Sequence, residues 1–324
     1  MKLKNYLSID VEDYFQVSAF ETVFPPQRWT EIPCRVADNT ERILDLLDMV
    51  EAKGTFFVLG WVARRFPHLV REIVGRGHEL ASHGFYHRRV TTQSRRAFRL
   101  DIRSSKSLLE DLGGVAVLGY RAPSYSISKD TLWAYDELLA AGFLYDSSVF
   151  PVRHDYYGIS DWPSRPFSLR RFAPGCWIPA VGDEYTGRLF EVPLTTVRLA
   201  GQNLPVAGGG YFRLYPYAVT RWICQRINQV EKRPFVFYIH PWELDPDQPR
   251  VPGVPMKSRF RHTVNLDRTL GRFQRLLRDF AFAPIRELFP ADPRTSRRDV
   301  RHSAGMPSSG FPETAPGVES IARH

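Results

Sequence analysis

Short apolar runs alternate with segments of helical period along most of the chain. Tyr6–Asp10, Thr55–Gly60, Glu79–Ser82, Val115–Tyr120, Phe143–Tyr145, Leu189–Val192 and Phe235–Ile239 read as strands. Between and after them lie amphipathic stretches. Thr40–Ala52 carries Ile43, Leu44, Leu47 and Val50 on one face, with Asp38 or Asn39 as its expected N-cap. Ser94–Leu112 gathers Phe98, Ile102, Leu108, Leu109 and Leu112, and Asp130–Ala141 follows. Thr263–Phe280 closes the pattern with Leu266, Leu270, Phe273, Leu277 and Phe280. Strands alternating with helices predict an α/β fold with a parallel sheet and crossover helices. Seven strands suit an incomplete barrel or an open sheet. Ser147–Arg188 fits neither period and is expected to be a long excursion over one end of the core. Gly208-Gly209-Gly210 reads as a second, flexible loop edged by Tyr211 and Phe212. It lacks the spacing and lysine of a phosphate-binding loop.

Composition narrows the class. Hydrophobic residues make up 43% of the 324, so a large core is within reach, and wholesale disorder is excluded. The last 34 residues, Ala291–His324, hold only Val300, Phe311, Val318 and Ile321 among large aliphatics and Phe, and predict a disordered tail after a domain of residues 1–290. Cys34, Cys176 and Cys224 have no metal-type spacing and read as thiols of a reducing compartment. The longest uncharged apolar stretch, Gly54–Ala63, falls far short of the ~20 residues of a membrane span. Asp10 arrives before a signal-peptide core could form, so no cleaved export signal is expected, and the expected location is cytoplasmic or peripheral to the inner membrane face. The net charge of +9 comes from scattered arginines without blocks or an aromatic ladder, which argues against a nucleic-acid surface and leaves an anionic polymer or lipid as a partner.

Ionisable residues recur where the strands end. Asp10, Glu12 and Asp13 follow the first strand, His83 and His87 the third, Arg121 the fourth and Asp146 the fifth; Glu191 ends the sixth and His240 the seventh. In parallel α/β folds this is the face that carries active sites. Imidazoles at i and i+4 can reach one ion if the backbone turns helically between them, and a carboxylate from the first strand would complete the set. An isolated His-x-x-x-His pair is a weak signal, and an acidic cluster at a strand end is often a helix cap. Their coincidence is what carries weight. Arg121 is the expected counter-charge to the acidic group.

The order Asp10…Glu12-Asp13, His83-x-x-x-His87, Arg121-x-Pro123 and a late apolar strand ending at His240 resembles the polysaccharide deacetylases, the family-4 carbohydrate esterases with the NodB homology domain. Ser8-Ile9-Asp10-Val11-Glu12-Asp13-Tyr14-Phe15, Arg121-Ala122-Pro123-Ser124-Tyr125 and His240-Pro241-Trp242-Glu243 are similar to the branch associated with exopolysaccharide and exosortase loci. The resemblance spans about residues 5–280. It implies a distorted (β/α)7 barrel and a divalent metal, with Zn2+ expected ahead of Co2+ or Ni2+. It also implies removal of N-acetyl groups from a glycan or its lipid-linked precursor. By the same resemblance Asp10 is the general base held by Arg121, His83 and His87 are metal ligands, and His240 is the general acid. Either Asp13 or Glu12 is the third ligand, with Asp13 preferred for its short carboxylate. Gly84 stands where the family usually has a Ser or Thr that supports the loop. Pro123, Tyr125, Asp146 and Trp242 are expected on the substrate side, with Trp162, Trp177 and Tyr211 as further candidates for stacking on sugars. Hydrolysis of a small cyclic amide or ureide, and glycan binding without a metal, are the alternative readings.

Overall fold

The strand that opens the chain, β1 (Lys4–Val11), is hydrogen-bonded on both sides and buried along most of its length. The computed structural model describes residues 3–152, 158–180, 188–199, 202–206 and 208–289. The expected tail, 291–324, lies outside the described residues. The elements run β1, α1 (Val36–Asp48), β2 (Thr55–Val58), α2 (Gly60–Arg65), α3 (Pro67–Gly75), β3 (Glu79–Ser82), α4 (Arg95–Gly113), β4 (Gly119–Tyr120), α5 (Ala134–Ala140) and β5 (Tyr145–Asp146). There follow β6 (Phe167–Ala173), β7 (Cys176–Pro179), β8 (Phe190–Glu191), β9 (Thr196–Leu199), β10 (Gln202–Pro205), α6 (Gly209–Leu214) and α7 (Tyr217–Gln229). The last are β11 (Val236–Ile239), α8 (Met256–Thr263), α9 (Leu266–Asp279) and β12 (Ala281–Ala283).

Seven strands lie in the order β11-β1-β2-β3-β4-β5-β8, every neighbouring pair parallel. All seven correspond to strands expected from the sequence, and the fold is α/β. The sheet curls: Arg121, after β4, reaches Ser8 and Asp10 of β1 on the far side of two intervening strands. Among the described residues β8 and β11 do not pair as strands. Their seam is bridged by Val236 N–H donating to Thr195 Oγ1 (2.7 Å) and Arg233 donating to the Thr196 carbonyl (2.8 Å). This is a curved parallel sheet with one loosely tied seam.

Helix starts show where local signals ruled and where tertiary contacts overrode them. Ser94 caps α4 by accepting from Ala97 N–H, and Gly114 ends the helix with φ 64°. Pro67 opens α3, where its missing N–H costs nothing. Helix α1 starts at Val36, ahead of the expected caps Asp38 and Asn39, and uses no side-chain cap of its own. Its free N–H groups are met by Asp13, from the loop after β1. Helix α5 begins later than expected, because Ser128 and Thr131 form a capping box around a separate 3₁₀ turn. The stretch 147–188 contains the antiparallel hairpin β6–β7, which extends the sheet from β8. Gly208-Gly209-Gly210 is no flexible loop. It enters α6, with Gly208 against the Tyr238 ring and Gly209 against the Glu243 carboxylate. The three cysteines are unpaired. Among the described residues no helix is long and apolar enough to cross a membrane.

Candidate active site

At the C-terminal end of β1 the backbone alternates, so Ser8, Asp10 and Glu12 share one parity and Asp13 has the other. Arg121 fixes the first two. Its guanidinium is fully buried and donates to Ser8 Oγ (2.9 Å), Asp10 Oδ1 (2.6 Å), the Ser147 carbonyl (3.1 Å) and Ser147 Oγ (2.9 Å), while its cation lies 4.1 Å from the Phe57 ring centroid. A buried guanidinium with this many partners is rigid. Tyr125 donates its hydroxyl to the other Asp10 oxygen at 3.3 Å.

Glu12 projects toward the two histidines. Glu12, His83 and His87 each offer a ligand atom within 4.8 Å of the others, and all three are buried. Glu12 Oε2 lies 2.7 Å from His87 Nε2 and makes no hydrogen bond, although the residue is only 2% exposed. A buried carboxylate oxygen without a hydrogen bond is costly unless a cation meets it. His83 donates Nδ1–H to the Arg121 carbonyl at 2.8 Å, which leaves Nε2 as its ligand atom. Burial pulls the His83 imidazole down to about 4, with His87 adding to the fall and Asp10 and Glu12 opposing it, so the ring is neutral at physiological pH. Burial tends to raise the Glu12 carboxyl, but His87 and His240 outweigh it and hold the group well below the usual carboxylate range. One carboxylate and two imidazoles suit a divalent ion of zinc type, and three protein ligands leave coordination positions for water and substrate.

The histidine pair does not sit on a helical turn. Gly84 has φ 76° and His87 φ 53°, and this reversal brings the two rings to 5.2 Å between centroids. Non-glycine residues held in the left-handed region cluster at functional sites. The loop is supported by Asp101 of α4, which accepts from Phe85 N–H (2.9 Å), and by Ser105, which donates to the Gly84 carbonyl (3.0 Å). A side chain at Gly84 would meet the Asp101 carboxylate.

His240 ends β11 opposite this cluster. Its Nε2 lies 3.5 Å from Glu12 Oε1 and 3.9 Å from Asp10 Oδ2, and its Nδ1 3.0 Å from Glu243 Oε2. Glu243 is in turn paired with the buried Arg213 at 2.9 Å. Burial pulls the His240 imidazole down, but the charges of Glu12 and Glu243 prevail and raise it to about 9. The result is a protonated His240 beside a neutral His83.

The structure separates several expected residues from the site. Asp13 does not face the histidines: it is fully buried, accepting from Tyr14 N–H (2.8 Å), Arg35 N–H (2.6 Å) and Val36 N–H (2.9 Å) as the cap of α1. The carboxylate beside the histidines is that of Glu12. Asp146 is fully buried. It accepts from Ser148 Oγ (2.6 Å) and is hydrogen-bonded to Glu191, whose carboxyl is pushed far up by burial and by Asp146's charge. Its carboxyl is thus taken up by these two partners, and Ser148 accepts from Ala122 N–H (2.7 Å) and so braces the Arg121 segment. Trp242 does not line an open groove. It donates to Glu12 Oε1 at 3.3 Å and is sandwiched between His240 and His262. Pro123 is buried in the turn beside Gly84. Tyr125 points inward at Asp10. Trp162 and Trp177 pack on Tyr135, where Trp177 donates to Asp136. Sequence reasoning passed over Glu243 and Arg213. The signal for Glu243 was its place three residues after His240, the reach of a capping-box partner.

Two family models match the chain, one after the other. Residues 30–141 match the polysaccharide deacetylase family, and residues 147–290 match a domain of unknown function (DUF3473). A peptidoglycan-N-acetylglucosamine deacetylase of Bacillus cereus is 32% identical over 99 residues, 30% of this chain and 36% of that protein. A chitooligosaccharide deacetylase of Sinorhizobium fredii is 32% identical over 94 residues, 29% of this chain and 44% of that protein. The chain thus spans less than half the length of these curated relatives. In fold it is similar to a Mycobacterium smegmatis crystal structure assigned to the polysaccharide deacetylases, with a TM-score of 0.52 at 20% identity, covering 87% of both chains. Over residues 30–141 the chain thus carries a polysaccharide deacetylase domain.

Proposed function

We propose that the protein is a metal-dependent hydrolase that removes N-acetyl groups from aminosugars of a polysaccharide or of its lipid-linked precursor, as a step of exopolysaccharide biosynthesis. The observation that carries this reading is the convergence of Glu12, His83 and His87 between the Asp10–Arg121 pair and the His240–Glu243 pair. Glu12, His83 and His87 would hold the ion, for which zinc fits best and cobalt or nickel next. When bound, a divalent ion polarises an acetamide carbonyl and makes a nearby water more acidic. Asp10, oriented by Arg121 and Tyr125, accepts the proton of the water that attacks the carbonyl carbon. His240 donates its proton to the amine nitrogen as the C–N bond breaks, because an amide anion cannot leave at neutral pH. Glu243 and Arg213 hold that imidazole in place. The products are acetate and the free amine. Three unpaired thiols support a cytoplasmic site of action.

Acetate release from a panel of N-acetylated oligosaccharides, with zinc added, tests the reading. The wild-type protein is expected to release acetate. Asp10→Asn is expected to keep its metal and to lose about two to four orders of magnitude in rate. Near-wild-type turnover by that variant would remove Asp10 as the base. Turnover of a cyclic ureide in place of any oligosaccharide would move the substrate class.

A further inference from the structure

Helix α8 is attached to the protein along one narrow side and otherwise stands in solvent. His262 is the anchored residue: it is buried, stacks on Trp242 with centroids 4.2 Å apart, and its Nε2 lies 2.7 Å from Gln248 Oε1. Ser258, one turn earlier, is half-buried, whereas Met256, Lys257, Arg259, Phe260 and Arg261 are exposed. Met256 and Phe260, at i and i+4, protrude from the same side of the helix with 78% and 58% of their surface open.

The charge around these two side chains has one sign. From Gln248 to Leu266 the chain carries Arg250, Lys257, Arg259 and Arg261 and no acidic residue. Among the described residues none of the four cations forms an ion pair. Two protruding apolar side chains ringed by unpaired cations match the boundary of an anionic bilayer. There, apolar groups enter the headgroup–acyl boundary and Lys and Arg meet lipid charge, their long stems lying over the apolar layer.

We propose that α8 is a membrane-docking element that seats the protein on an anionic bilayer surface. The same helix touches the candidate site through an unbroken ring stack. His262 lies on Trp242, and Trp242 lies on His240 at 5.2 Å with planes 18° apart. Docking through α8 therefore holds the candidate site close to the lipid headgroups, where a lipid-linked glycan would present its sugars. That consequence rests on the deacetylase reading; the docking itself does not.

The test measures binding of the full chain to vesicles and needs no enzymatic assay. Wild-type protein is expected to sediment with vesicles of phosphatidylcholine and phosphatidylglycerol, and to stay in solution with phosphatidylcholine alone. Replacing two of the four cations, K257E with R261E, is expected to weaken binding by at least about twentyfold. Met256→Ser with Phe260→Ser is expected to weaken it by about tenfold or more. Met49→Ser serves as the control, because Met49 is equally exposed but lies beyond α1, at the opposite end of the sheet. No binding to the anionic vesicles, equal binding to both compositions, or an equal loss in Met49→Ser would overturn the proposal. Vesicle binding without acetate release would leave α8 in place and refute the deacetylase reading.

Discussion

The two ends of β3 each carry a buried histidine, and only one end gathers a reactive group. Before the strand, His78 accepts from Gly54 N–H at 3.2 Å and packs on the Phe56 ring. Its neighbour Glu79 is dressed by Thr55 Oγ1, Tyr145 OH and Arg286 N–H. After the strand, His83 turns its free nitrogen toward His87 and Glu12, whose Oε2 makes no hydrogen bond. His78 Nε2 also lacks a partner, but it stands alone. Burial of a polar group, even with one unmet atom, does not mark a site. An unmet carboxylate oxygen gathered to one point with two imidazoles does.

The largest effect expected from this contrast is on metal content. His83→Ala should empty the site, so metal analysis of the purified protein finds no stoichiometric zinc, while His78→Gln should retain it. Equal loss in both variants would erase the distinction between the two ends. Next comes the pair of neighbouring carboxylates. Asp13→Ala should keep the ion yet lower stability by about 1–3 kcal/mol in denaturant titration, because two backbone donors at the start of α1 and the Tyr14 N–H lose their acceptor. Glu12→Gln should do the reverse and lose the ion. The smallest effect concerns pH. Burial, helped by Lys53, pulls His78 down to about 3, so between pH 6.5 and about 3 the unfolded chain binds a proton that the native one refuses. Stability should therefore fall as pH drops below 6.5, by at most about 1.4 kcal/mol per pH unit from this group. His78→Gln should flatten that slope by up to one proton, read as melting temperature against pH.

Much of the site was legible because strand ends are. Asp10, His83, His87, Arg121 and His240 follow apolar runs that could only be strands, and parallel topology collects such ends on one face. The division of labour between Glu12 and Asp13 was written less plainly. Size and charge do not separate them, but alternation does: Glu12 keeps the parity of Ser8 and Asp10, and Asp13 turns toward α1. Asp146 and Trp242 show the opposite limit. Both sit where substrate-facing residues would sit, yet one is taken up by Ser148 and Glu191 and the other is sandwiched between two histidines. No local pattern encodes what covers a side chain. Helix α6 was missed for a related reason, since a glycine run suggests freedom, whereas here Gly208 and Gly209 are required by the Tyr238 ring and Glu243 pressed against them.

The sheet order has a consequence for how this protein can be taken apart. The two matched regions are separated by residues 142–146, which hold β5 in mid-sheet, and β8 from the second region continues the ladder begun by β5. Asp10 and Glu12 precede the first region, the two histidines and Arg121 lie inside it, and His240 with its Glu243–Arg213 support lies in the second. On the proposed mechanism, a cut at the border would strand Glu12, His83 and His87 on one fragment and the proton donor His240 on the other, so neither matched region would act alone.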